Sequence, residues 1–260
     1  MNIAIFYNPK TNPKNKSYAL EIAAILKMHG LKYLLNPLEK DFRDTHIAIS
    51  AGGDGTVLYT ANLLANHKIP ILGINFGHRG YLCETSKDKI EEAIEKIVQK
   101  KYHIEEKTRI QAEIRKRKKE TIRLDALNEI SIGGINRTVY LDLQIKTPER
   151  NLKINTAGDG IIVATRTGST AYNINAGGPI LMTEALSLIA NNAFFQSDSL
   201  LPITKSIVLS SDTKITITDS SHNILNLPYV IADGQEAVRI QKENIVIIKK
   251  AKEKNLFIRF

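Results

Sequence analysis

The chain has 260 residues, with 36 Lys and Arg against 27 Asp and Glu, a formal charge of +9. Hydrophobic residues at 43% and charged residues at 24% sit near the globular average, which excludes wholesale disorder, and the length suits one large domain or two ordinary ones. A single cysteine, Cys83, excludes a disulfide framework and a cysteine-based zinc site, and the six histidines show no HxxxH or HExxH spacing, so no metal cage is legible. No run approaches the ~18 apolar residues of a membrane helix. The opening MNIAIFYNPKTNPKNK lacks the charged and apolar regions of a signal peptide, so a soluble, reducing, cytoplasmic setting away from membranes is expected. The positive charge points to an anionic partner, nucleic acid being the first to test.

In chain order, Ile3-Ala4-Ile5-Phe6 reads as a short buried strand, followed by a helix capped by Ser17, running through Leu20, Ala23, Ala24 and Met28, and ended by Gly30. His46–Ser50 is a second buried strand, then come glycines and a helical run from Thr56 to about Ala65. Pro70 opens a third strand, Ile71–Ile74. Lys87–Lys100 is helical, with Ile90, Ala93, Ile94 and Ile97 on one stripe. Strands separated by helices imply a Rossmann-like α/β domain with a parallel sheet.

From about Lys107 the texture becomes a succession of short β-branched runs: Ile110–Ile114, Leu127–Ile132, Val139–Ile145, Leu152–Thr156, Ile161–Thr165, Ser206–Leu209, Lys214–Thr218 and Tyr229–Ala232. Only Thr170 to about Asn191 reads as helical among them. This predicts a second, mainly antiparallel, β-sandwich-like domain. Ile245–Ile248 and Leu256–Arg259 are late strands assigned to the first domain. The expected division is therefore residues 1–106 plus about 246–260 for the α/β domain, and 107–245 for the β-rich one. The basic run Arg115–Lys119 reads as a solvated hairpin tip.

The 15 glycines cluster rather than scatter. Gly52-Gly53-Asp54-Gly55-Thr56 lies between a buried strand and a helix start, where glycines let amide groups approach an anion at the helix N-terminus. Neither GxGxxG nor GxxxxGK[ST] is present. Asp54 would repel bound phosphates unless Mg²⁺ lies between them or the carboxylate orients and deprotonates a substrate hydroxyl. Both arrangements belong to phosphoryl transfer to an alcohol. The plainer alternative is a turn residue with a capping role. A second run, Gly158-Asp159-Gly160 through Arg166-Thr167-Gly168-Ser169-Thr170-Ala171-Tyr172, offers hydroxyls and an aromatic face suited to ribose or phosphate. Ser169 lacks the GxSxG setting of a nucleophile. Asn128-Glu129 reads equally well as a polar strand end or a ligand pair, and Asp233-Gly234-Gln235 as a hairpin turn.

Taken together, GGDGT at 52–56, Asn75-Phe76-Gly77-His78-Arg79-Gly80-Tyr81-Leu82, Leu127-Asn128-Glu129, Thr167-Gly168-Ser169-Thr170-Ala171-Tyr172 with Gly177-Gly178-Pro179-Ile180, and Asp233-Gly234-Gln235 resemble the NAD kinase family, over about residues 45–235. The resemblance implies phosphorylation of the 2′-hydroxyl of the adenosine ribose of NAD, giving NADP, with ATP or sometimes polyphosphate as donor. It also implies Mg²⁺ and a homodimer or homotetramer. Carried over by position, Asp54 is the catalytic aspartate. Gly55, Asn128, Glu129, Asp159, Thr167, Thr170, Ala171 and Tyr172 line the NAD site, and Asp233 lies near a site shared with a neighbouring subunit. Gly52, Gly53 and Thr56 hold phosphates. Arg166 stands where the family usually has Pro, and Arg79 where it usually has Leu. Both place a guanidinium beside a nucleotide loop, where phosphate pairing is natural. GGDGT alone is shared with lipid kinases of the diacylglycerol and sphingosine type, the first alternative. A non-enzymatic basic nucleic-acid binder is the second, although aromatics are only 6% and Trp is absent.

Overall fold

The computed structural model describes residues 1–9, 13–77, 80–117, 120–134, 138–194, 206–221 and 227–260; every element and contact below is counted among them. The chain divides into two compact units, Met1–Lys107 with Glu253–Phe260, and Thr108–Lys252. The first contains β1 (Asn2–Phe6), α1 (Asn15–Met28), β2 (Lys32–Leu35), β3 (Ile47–Gly52), α2 (Asp54–Leu63), β4 (Ile71–Asn75), β5 (Thr85–Ser86), α3 (Ile90–Val98) and β6 (His103–Lys107). The second contains β7 (Ile110–Arg115), β8 (Thr121–Ala126), β9 (Glu129–Gly133), β10 (Val139–Lys146), β11 (Asn151–Gly158), β12 (Gly160–Ala164) and α4 (Tyr172–Asn175). It continues with β13 (Ala185–Asn191), β14 (Ser206–Ser210), β15 (Lys214–Asp219), β16 (Tyr229–Ala232), β17 (Glu236–Arg239) and β18 (Ile245–Lys250). β19 (Asn255–Arg259) then returns to the first unit.

In the first unit the strand order is β2-β1-β3-β4-β19-β6, with β5 beside β4. All pairs are parallel except β19 with β6. β3 is buried along its whole length, as a strand covered on both faces must be. On α1, Ala19, Ile22, Ala23 and Leu26 fall at helical spacing and share one core with Ile3, Ile49 and the stripe of α3. β3 and β4 run in parallel with Gly52 opposite Asn75, so the loops leaving them start side by side.

The second unit is an antiparallel sandwich of two six-stranded sheets, β11-β10-β15-β18-β7-β8 and β14-β13-β12-β9-β16-β17. β10 alternates strictly, and its inward Val139, Leu141, Leu143 and Ile145 share a core with Ile130, Ile132, Ile161 and Val163 of the other sheet. β9 and β12 pair with Glu129 opposite Ala164, which sets the Asn128-Glu129 end of β9 beside the loop that leaves β12.

Several expectations need correction. Thr170–Asn191 is not one helix. It is a 3-10 turn at Thr167–Thr170, the single turn α4, and then β13. Gly177-Gly178-Pro179 cannot continue a helix, and the apolar β13 is held between β12 and β14. Ser17 does not cap α1, which starts at Asn15 after Lys14; its hydroxyl donates to the Lys14 carbonyl. Residues 246–252 belong to the second unit, because β18 is paired on both sides by β15 and β7. The edge strand β2 and the polar strand β6 carry no alternation that marks them in sequence. The run after Arg115 is the connection between the paired β7 and β8, with Lys116 bonded to Glu120; Lys118 and Lys119 lie outside the described residues.

Candidate functional site

In the first unit, the chain leaves β3 at Gly52 and enters α2 at Asp54 with Gly53 as its cap residue. The Gly53 carbonyl accepts from Thr56 and Val57, closing the first turn. The positive end of the helix therefore lies at the glycine loop, where a phosphate group is favoured. Thr56 is buried and Gly55 exposed. Asp54 does not cap its own helix. Its carboxylate accepts the backbone N–H of Tyr81 at 2.8 Å and of Leu82 at 3.0 Å, from the segment between β4 and β5. Gly80 is required by this contact, since a Cβ there would overlap the Asp54 carboxylate. Burial, and then the charge of Asp54, push the Cys83 thiol up to about 12, so it stays protonated and donates to Asp54. The aspartate is thus a fixed carboxylate at a helix N-terminus, with further lone-pair positions for a hydroxyl.

In the second unit, Leu127-Asn128-Glu129 is held at both sides. From one, the Asp233 carboxylate accepts the N–H groups of Leu127 and Asn128 at 2.8 Å each and of Glu129 at 3.2 Å. From the other, Thr165 N–H donates to the Asn128 carbonyl at 2.8 Å and the Thr165 hydroxyl to the Leu127 carbonyl at 2.6 Å. Gly168 lies flat against Asn128, and a Cβ there would collide with the Asn128 backbone. The side chains so fixed carry buried oxygens with no protein partner, Asn128 Oδ1 and Glu129 Oε2. Each is an unpartnered buried oxygen of the kind that a ligand's hydroxyl or amide group can satisfy. Burial, reinforced by the charge of Asp233 and opposed by the Tyr172 N–H, raises the Glu129 carboxyl to about 7. Asp233 is itself raised by burial, against the pull of the three amides and of Arg109.

Asp159 and Tyr172 stand on the wall of one cleft of about 740 Å³, with Gly133, Ser131, Asn191 and Tyr229. The Asp159 carboxylate accepts from Asn192 at 2.6 Å, and the Tyr172 hydroxyl from Asn191 at 3.3 Å. Thr167 and Thr170 lie in the 3-10 turn, half-buried, and Ala171 joins it to α4. Ser169 is fully buried. It donates to the Arg166 carbonyl at 2.7 Å and accepts from Leu181 at 3.1 Å, a loop-building role and not that of a nucleophile. Arg166 is exposed and faces Glu184 at 3.9 Å. Arg79 lies outside the described residues. Asp233 does begin a tight hairpin turn, with φ of 50° and 65° at Asp233 and Gly234, yet its side chain is buried and turned onto residues 127–129.

Sequence reasoning missed Arg109, 1% exposed, whose guanidinium is drawn down by burial and sustained by the charges of Asp125, Asp233 and Glu236. It sits at the head of the apolar run of β7, and nothing local marks it as the counter-charge of Asp233. It also missed Arg259 and Glu84, which brace the segment that holds Asp54. No group of three or more His, Cys, Asp and Glu placed to hold a metal occurs among the described residues, and none of their helices is long and apolar enough to cross a membrane.

The first unit offers a carboxylate at a glycine-rich helix start that favours an anion, and the second a polar cleft and two unpartnered buried oxygens, features suited to phosphate and hydroxyl groups. Residues 31–102 match the ATP-NAD kinase N-terminal domain and residues 127–260 the ATP-NAD kinase C-terminal domain. An NAD kinase of Clostridium kluyveri is 33% identical over all of this chain and 91% of its own length. An NAD kinase of Archaeoglobus fulgidus, solved in complex with ATP, superposes with a TM-score of 0.75 at 28% identity over 99% of this chain and 93% of its own. Yeast NADH kinase, solved with NADH, shares the fold at a TM-score of 0.82 and 19% identity, covering 100% of this chain and 83% of its own. The chain belongs to the NAD kinase family. That membership sets aside both the lipid kinase and the non-enzymatic nucleic-acid binder.

Proposed function

We propose that this enzyme transfers the γ-phosphoryl group of ATP to the 2′-hydroxyl of the adenosine ribose of NAD, releasing NADP and ADP. The observation that carries the reading is the Asp54 carboxylate, fixed by the Tyr81 and Leu82 amides at the N-terminus of α2. The helix start at Gly52, Gly53 and Thr56 favours the ATP phosphates. Asp54 orients the ribose hydroxyl, its oxygen attacks phosphorus in line, the bond to the β-phosphate oxygen breaks, and the proton passes to Asp54 late in the step. A loose transition state asks little base strength of the carboxylate. Asn128 and Glu129, with their orphaned buried oxygens, accept hydrogen bonds from the ribose hydroxyls or the nicotinamide amide of NAD. Gly55, Asp159, Thr167, Thr170, Ala171, Tyr172 and Asp233 complete or support the NAD site, and Arg79 and Arg166 are assigned to phosphate.

Mg²⁺ neutralises charge on the ATP phosphates when bound. Asp54, at the glycine-rich start of α2, is the protein carboxylate that would contact such an ion, the phosphate oxygens and water supplying its other ligands. A homo-oligomer is supported by exposed apolar side chains close together in sequence outside the cleft walled by Asp159 and Tyr172: Ile174, Ile180 and Met182. A cytoplasmic location follows from the nucleotide substrates. The test is incubation with NAD, ATP and Mg²⁺, with NADP read by a dehydrogenase that accepts only that cofactor, beside parallel runs with polyphosphate as donor and with diacylglycerol as acceptor.

A further inference from the structure

Residues 80–83 have no regular secondary structure, and only the two-residue β5 follows them. Yet this strap supplies the amides that hold Asp54. The 78% exposed Tyr81 ring does not anchor it, whereas Leu82 is buried. Backbone ties come from β4, where the Gly73 carbonyl accepts the Glu84 N–H at 2.9 Å, and the side-chain ties come from β19 and the residue after it. Arg259 Nη1 donates to the Leu82 carbonyl at 3.4 Å and to Glu84 Oε2 at 3.0 Å. The Phe260 N–H donates to Glu84 Oε1 at 3.0 Å, so both oxygens of Glu84 are gripped from one strand end. Arg259 is braced in turn. Its Nε donates to Glu105 Oε2 at 2.7 Å, and its guanidinium lies 5.4 Å from the Phe257 ring. Burial works to raise Glu105, but Arg259 and then Lys107 outweigh it and hold this carboxyl below its ordinary value. The Arg259 and Glu84 side chains are only 15% and 19% exposed, so the pair is poorly screened by solvent.

We infer that Arg259 is a positioning residue for phosphoryl transfer, fixing through Leu82 and Glu84 the strap whose amides hold Asp54. The inference rests on the reading of Asp54 as the catalytic carboxylate. Arg259 touches no substrate in this scheme. It sets where the Tyr81 and Leu82 N–H groups stand, and a carboxylate displaced by a fraction of an ångström loses much of its effect on an in-line transfer. Lysine cannot replace it fully, because one ammonium on a flexible stem cannot serve Glu105 and Glu84 with the geometry of the guanidinium fork.

The experiment compares Arg259→Gln, Arg259→Lys, Glu84→Gln, the double variant Arg259→Gln/Glu84→Gln and Asp54→Asn in the full chain. It reads kcat, KM for NAD, thermal melting and hydrogen exchange of the peptide spanning residues 80–84. Arg259→Gln is expected to lower kcat by about tenfold or more with KM for NAD changed by less than about twofold, and to speed exchange in that peptide. Lys restores part of kcat, Glu84→Gln lowers it less, and the double variant falls no further than Arg259→Gln alone. If Arg259→Gln fails to fold, Glu84→Gln carries the comparison. Full kcat in a folded Arg259→Gln or Glu84→Gln variant, or a loss confined to KM, overturns the inference. With Asp54→Asn inactive, such a result leaves the reading of Asp54 standing; wild-type turnover in Asp54→Asn overturns both.

Discussion

The carboxylate of Asp233 accepts the backbone N–H of Asn128 at 2.8 Å, across 105 positions of sequence. Two further amides, of Leu127 and Glu129, converge on the same carboxylate. The start of β9, with Asn128 and Glu129, is therefore held by a side chain from the β16–β17 turn, with Arg109 as its buried counter-charge.

Asp233→Asn keeps the size of the side chain but turns an acceptor-only group into one half of which donates. At least one of the three amides then loses its acceptor in a buried place, a cost of about 1–3 kcal/mol. We expect a lower melting temperature and an NAD affinity reduced about tenfold, measured by calorimetric titration alongside a thermal melt.

Gly168→Ala places a methyl group against the Asn128 backbone, in a contact that has no room for it. Overpacking of this kind costs about 1–3 kcal/mol, and here the strain falls on the residue beside Glu129. NAD affinity is expected to fall by at least the factor seen for Asp233→Asn, with ATP affinity of the variant unchanged. Separate titrations of the two nucleotides check this.

Glu129 carries a pH signature. Its carboxyl is raised from 4.5 to about 7, chiefly by burial, so the folded chain keeps a proton that the unfolded chain has lost. The stability this contributes is fully present below about pH 4.5 and is lost as pH rises through about 7. Melting temperature should therefore drift down over that window, and Glu129→Gln should flatten the drift. Ionised Glu129 is the better acceptor for ribose hydroxyls, so NAD affinity should rise between about pH 6 and 8 in the wild type and not in Glu129→Gln.

Much of this was legible locally. The GGDGT run sits between strand and helix because strand burial, glycine and helix propensity are properties of neighbours, and the alternation in β10 and the stripe of α3 declare themselves in the same way. What escaped is what depends on distant partners. Asp233 reads as a turn residue because its turn is real, while its side chain serves another strand. ALSLIAN reads as helix because Ala and Leu favour one, and only its hydrogen-bonded neighbours β12 and β14 make it a strand. Arg109 and Arg259 look like ordinary basic residues until burial sets each beside its carboxylates.

The central claim is that Asp54 takes the proton as the ribose oxygen of NAD attacks ATP. The most direct test is NADP formation by wild type and Asp54→Asn at saturating NAD, ATP and Mg²⁺, with NAD binding to each variant measured separately. The account predicts steady NADP production by the wild type, and a kcat lower by about two orders of magnitude or more in Asp54→Asn with NAD affinity kept. Wild-type turnover in Asp54→Asn, or no NADP from a folded wild-type chain, would contradict it.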